Sequence, residues 1–152
     1  MSNCEDISFA FDCFLKAGAC DVICGPYYEY RQDRVGSLTY TTTPKVYRDQ
    51  CCFVIESIEK LRSEDDKNVF TTPDALSFVA YEYSLIVWKY SCVSQDLRTE
   101  ALAFLRKYHW VLKYGKTIRL RAIYLLCGVV GFHLTSKLLD CYMTMRKKRK
   151  LA

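Results

Sequence analysis

Two histidines are all that this 152-residue sequence offers to proton transfer near neutral pH. Neither His109 nor His133 has a cysteine or carboxylate beside it at the spacing of a catalytic motif. Both lie in aromatic or apolar helical surroundings, where a histidine is more often a structural residue with a satisfied ring. A glycine-rich phosphate loop, a Gly-x-Ser-x-Gly elbow and a His-Glu-x-x-His pair are also missing. The longest run of carboxylates, Glu64, Asp65 and Asp66, reads most simply as a solvent-facing turn. No enzyme and no cofactor is expected.

The nine cysteines are odd in number and fall into no paired framework. Cys20 and Cys24, or Cys51 and Cys52, are not followed by a second ligand pair at finger or ribbon spacing, so no metal site is expected. Met1 leads into polar Ser2, Asn3, Glu5 and Asp6 rather than a signal peptide. A reducing compartment with mostly free, buried thiols follows as the expectation. The longest very apolar stretch, 122–134, has thirteen residues before Thr135, Ser136, Lys137 and Asp140. A span needs about 20, so a core or interface helix is expected there and a membrane partner is not.

What the chain has is apolar bulk. Hydrophobic residues make up 51% and aromatic residues 14%, with 12 tyrosines, which excludes a disordered chain and suits a buried contact surface. Length points to one domain with a real core. Residues 1–66 carry 12 acids and 7 bases, and residues 67–145 carry 5 acids and 10 bases. The net charge of +5 therefore equals the run Arg146, Lys147, Lys148, Arg149 and Lys150. Such a tail serves solubility, nuclear import or nucleic-acid contact, and it gains strength when many copies are held together.

Periodicity predicts helices almost throughout. Residues 4–17, with Ile7, Phe9, Phe11, Phe14 and Leu15, form a short amphipathic helix that Gly18 stops. Residues 19–43 read as a loop with one extended or hairpin piece. Thr43-Pro44 opens a helix whose apolar side carries Val46, Tyr47, Cys51, Val54, Ile55, Ile58 and Leu61, ending in the polar run 63–68. Thr72-Pro73-Asp74 repeats the start signal for Leu76, Val79, Tyr83, Ile86, Val87 and Tyr90, with Trp88 on a second face. A turn at 92–95 leads into a return helix through Leu97, Ala101, Leu105, Tyr108 and Leu112, bent at Gly115. The helix resumes from Ile118, is loosened at Gly128 and Gly131, and Thr135 or Ser136 caps a last short helix through Met145. The expected fold is thus all-α: one assembly domain over 1–145, with an N-terminal extension 1–43, a long hairpin 72–114, C-terminal helices 118–145 and a basic tail 146–152. A hairpin this long has two apolar faces, and the second finds no cover except a copy of itself.

The order and spacing over 44–145 resemble the assembly domain of hepadnaviral core (capsid) proteins and their fish nackednavirus relatives. The likeness rests on Pro44, Val46, Arg48 and Asp49 at one helix start, Ala75-Leu76 at the next, and then Gly115, Arg119, Cys127, Gly131-Phe132 and Thr135. The resemblance implies a homodimer whose hairpins pair into a four-helix-bundle spike, and dimers that build an icosahedral shell around the viral genome, in the virion and in the host cytoplasm or nucleus. By position, Leu76, Val79, Tyr83, Ile86, Leu102, Leu105 and Tyr108 would line the hairpin and dimer contact. Phe132, Leu138, Leu139, Tyr142 and Met143 would lie near contacts between dimers, and Arg146 to Lys150 would face nucleic acid. The chain departs from the family in its long front end, in lacking the proline-rich arm after Met145, in a short basic tail, and in having no spike cysteine at the cross-linking position.

A different class fits the same residues: a small helical regulator, like viral Bcl-2-like proteins, that takes a partner's amphipathic helix in a groove and uses its C-terminal segment as a weak anchor. That fold wraps helices around a buried hairpin, whereas a capsid hairpin leaves a face open to its twin. A monomeric metal-binding or redox protein is a third reading and would require bound metal.

Overall fold

The structure, a computed structural model, describes residues 4–17, 25, 43–63 and 72–151. All of its regular structure is helical, with no strand among the described residues. Six α-helices run in chain order: α1 Glu5–Lys16, α2 Pro44–Ser63, α3 Thr72–Lys89, α4 Arg98–Tyr108, α5 Ile118–Val129 and α6 Gly131–Leu151. Short 3₁₀ turns at Tyr90–Cys92, Gln95–Leu97 and His109–Tyr114 join them. The loop expected at 19–43 and the acidic turn at 64–68 lie outside the described residues, apart from Gly25 and Thr43.

Local chemistry accounts for the helix starts. The Thr43 hydroxyl accepts from the Val46 amide at 3.2 Å, and Pro44 occupies the first helical position, where no amide is needed. Thr117 does the same for α5 through the Leu120 amide. Gly115 precedes it with an extended backbone, and a Cβ there would run into the Leu120 side chain and the Leu112 carbonyl. Only glycine lets the chain turn so closely under α5.

Helix α3 is the centre of the core. Ala75, Val79, Ala80, Tyr83, Ile86 and Val87 have no exposed surface at all. α2, α5, α6 and the 109–114 turn pack along it, while α4 folds back so that the Tyr83 hydroxyl donates to the Leu105 carbonyl at 2.5 Å. α1 closes one side through its aromatic rings: Phe11 stands edge-on to Phe53 and stacks on Phe78. Lys60 on α2 holds Asp12 on α1 at 2.6 Å.

Two expectations are corrected. The return helix was expected to run as one piece to Gly115, but α4 ends at Tyr108 and the chain tightens into a 3₁₀ turn. There the adjacent Val111 and Leu112 are both wholly buried under α3 and α5, and the tighter winding brings both inward. The last helix was expected to begin at a Thr135 or Ser136 cap. Instead the break falls at Val130, and α6 starts at Gly131, whose φ of 80° suits glycine. Thr135 and Ser136 lie fully buried one turn inside α6. The Thr135 hydroxyl donates to the Gly131 carbonyl, whereas that of Ser136 reaches across to α3.

Candidate interaction surfaces

The residues expected at the hairpin and dimer contact divide sharply. Val79, Tyr83, Ile86 and Leu105 are completely buried within one chain, and Leu76 nearly so, because α2, α4 and the 109–114 turn already cover them. In this arrangement they pack within the subunit. Leu102 and Tyr108 remain partly open on α4. The outward side of that helix is otherwise polar, with Arg98, Thr99, Glu100, Arg106 and Lys107 exposed.

Beside α4 runs a groove of about 370 Å³, walled by α2 and α4 and lined mostly by apolar groups, among them Cys51, Ile55, Leu97, Ala101 and Phe104. Arg48 and Glu100 meet across its rim at 3.3 Å, both well exposed. An ion pair so wetted adds little stability and mainly gives the rim polar character. Tyr47 lines the groove and a smaller hollow near the 92–94 turn. Its ring is 3% exposed and its hydroxyl has no hydrogen-bond partner. Burial holds that phenol well above its ordinary pKa.

The C-terminal helices carry the other unusual surface. α6 is anchored by its first half: the Ser136 hydroxyl donates to the Trp88 carbonyl and accepts from the Ser91 amide, and the Trp88 indole donates to Asp140. Beyond that anchor every residue from 140 to 145 is exposed. Of the residues expected between dimers, Phe132 is buried under His109 and Leu139 packs on the core, whereas Leu138, Tyr142 and Met143 stand at the surface with Leu134 and Met145. Tyr142 and Met145 lie on one side of the helix and Met143 on the other. The bases Arg146 to Lys150 continue α6, and their side chains lie outside the described residues.

Sequence reasoning missed two features. Groove residues Phe104 and Lys107 on α4 come together with Cys52 on α2 only through the tertiary fold. The outer line of α5, Ile118, Leu125 and Val129, was hidden because the whole run 122–134 is apolar and its two faces look alike in sequence.

Both histidines pack against tyrosine rings. The His109 ring stacks on Tyr124 with its Nε2 3.2 Å from that residue's carbonyl oxygen, and His133 stands edge-on to Tyr90. Among the described residues no cluster of histidine, cysteine and carboxylate could hold a metal ion. Cys20 and Cys24 lie outside them. Burial pushes the Cys51 thiol up to about 12, and the Cys4 and Cys127 thiols up to about 11, which favours the protonated thiol. Among the described residues no helix is long and apolar enough to cross a membrane. No family model matches the chain, and neither the curated proteins nor the solved structures include a match.

Proposed function

We propose that this chain is a structural, self-assembling protein of the shell-forming kind, in which copies join through the outer half of α6. The observation that carries this reading is the set Leu138, Tyr142, Met143 and Met145, each at least 36% exposed and distributed over more than one side of a helix that extends past its anchor. A lone subunit would leave all of them in water. The same helix from a second copy, packed side by side, removes Leu138, Tyr142 and Met145 from it, and a two-fold pairing of this sort is the commonest route to a dimer. Stable obligate contacts bury on the order of 2,000 Å² or more, so α6 would be joined by the open parts of α4, including Leu102 and Tyr108. The likeness to hepadnaviral core proteins supports a closed shell, with the basic end of α6 turned to a viral nucleic acid.

The test is size-exclusion chromatography with light scattering, backed by negative-stain images, at low and high salt. A dimer that becomes particles as salt rises is the expected result, and Tyr142→Asp is expected to leave a folded monomer. A clean monomer of the parent chain at every salt sinks the proposal.

A second reading rests on the α2–α4 groove and the unpartnered Tyr47 hydroxyl: a helical regulator that seats the apolar side of a partner helix there. The wrapping of α3 by its neighbours favours it, since that is how such a fold sets itself apart from a spike. A monomer that binds amphipathic peptides, and loses them on Phe104→Glu, is its expected signature.

A further inference from the structure

Helix α5 buries Leu120 and Cys127 against the core and turns an opposite line of Ile118, Ala122, Leu125 and Val129 to solvent. Ile118 is 84% exposed, Leu125 63% and Val129 82%, and a Cβ built on the neighbouring Gly128 meets nothing within 4 Å. The steps of four, three and four place these side chains in one row about 17 Å long. Arg119 and Arg121, both exposed, fall on opposite flanks of it. Moreover, the stretch 101–139 contains seven bases and no acid.

From this we infer that the outer face of α5 docks the protein, lying flat, on an anionic lipid surface. An apolar row between cations is the pattern of a helix that sinks its aliphatic side chains to the level of the acyl chains while its arginines meet the headgroups. The twelve-residue length of α5 fits lying on a bilayer and not crossing one. Nucleic acid matches the charge but would leave the central isoleucine, leucine and valine in water. A second copy matches the apolar row but brings two more arginines to the same face, with no acid on either helix to meet them. Lipid satisfies both features together. The surface is separate from the outer half of α6, so docking does not depend on the assembly reading.

The experiment is flotation of the full chain with phosphatidylcholine vesicles, with and without about one-third phosphatidylserine. Binding is expected only to the anionic vesicles and is expected to fall with salt. At about fivefold for each cation near the surface, Arg119→Gln with Arg121→Gln should weaken it about 25-fold. Leu125→Gln with Val129→Gln should abolish it at unchanged helicity, since both side chains are already in water. Tyr142→Asp should disrupt assembly and leave flotation intact, which separates the two proposals. Equal binding to neutral vesicles, no binding to either, or full binding by the glutamine pair at 125 and 129 overturns the inference; the last result would assign the binding to the tail alone. It is equally overturned if that pair changes the sedimenting mass but not the lipid partition, or if the arginine pair lowers only nucleic-acid binding.

Discussion

The Tyr83 hydroxyl donates to the Leu105 carbonyl across the α3–α4 contact at 2.5 Å, with both residues wholly buried. Burial raises the phenol's pKa far above its ordinary value, so the proton stays on the tyrosine and the bond persists at any ordinary pH. Tyr83→Phe keeps the ring and its contact with Phe104 but leaves the carbonyl short of a donor. We expect a loss of about 1–2 kcal/mol in urea unfolding, with no change in oligomeric state.

Three glycines should respond in three ways. Gly115→Ala places a methyl against Leu120 and the Leu112 carbonyl, and about 1–3 kcal/mol should be lost. Gly131→Ala strains a backbone at φ 80° and should cost about 1–2 kcal/mol. Gly128→Ala faces open space inside a helix and should gain about 0.5–1 kcal/mol. Thermal unfolding of the three variants side by side checks the order.

Ser136 bridges α6 to the end of α3 with one bond given and one accepted, beside the bond from the Trp88 indole to Asp140. Ser136→Ala leaves both the Trp88 carbonyl and the Ser91 amide without that partner in a half-buried place. The expected cost is about 2–3 kcal/mol, and amide exchange should quicken at Ser91 before it does in the centre of α3.

Glu82 is buried on α3, and burial raises its carboxyl above the ordinary 4.5, with Lys89 opposing the shift in part. A raised acid binds its proton more tightly folded than unfolded, so this group's contribution to stability declines as pH rises past 4.5. Lys89, lowered mainly by its own burial and holding Gln50 at 3.1 Å, acts in the other direction only at alkaline pH. Glu82→Gln should therefore be more stable than the parent at pH 7 and indistinguishable from it below the ordinary carboxylate range. Equal urea midpoints at pH 7 would contradict this account.

Thiol labelling at neutral pH should separate the cysteines by position. The exposed Cys13, Cys52, Cys92 and Cys141 are expected to react in the native state, whereas Cys4, Cys51 and Cys127, with raised pKa values, should wait for unfolding. Mass spectrometry after timed alkylation reads this directly.

The helical fold and the starts of α2 and α3 were legible because the signals are local. Thr43-Pro44 and Thr72-Pro73 each announce a helix within two residues, and Gly115 marks a close approach to a side chain only five residues away. Other features depend on contacts that no local pattern carries. A buried serine near a helix break looks the same whether it caps its own helix or, like Ser136, bonds a carbonyl 48 residues earlier. Nothing in His109-Trp110-Val111-Leu112 distinguishes a 3₁₀ turn from the α-helix before it until α3 and α5 press on both sides. The Arg48–Glu100 rim likewise joins residues 52 apart in sequence. Of the apolar residues expected at the hairpin contact, Leu76, Val79, Tyr83, Ile86 and Leu105 are buried, and Leu102 and Tyr108 are half-buried. Periodicity could not say whether neighbours of the same chain or a twin would bury them.

The 21 residues of α6 form one rod about 31 Å long, fastened to α3 within its first half, where Ser136 and Asp140 make their bonds. A force applied at the basic tip therefore acts with leverage on those two attachments. The Trp88 end of α3 is the place where a tug on the tail would be felt first, and where the subunit would begin to give way.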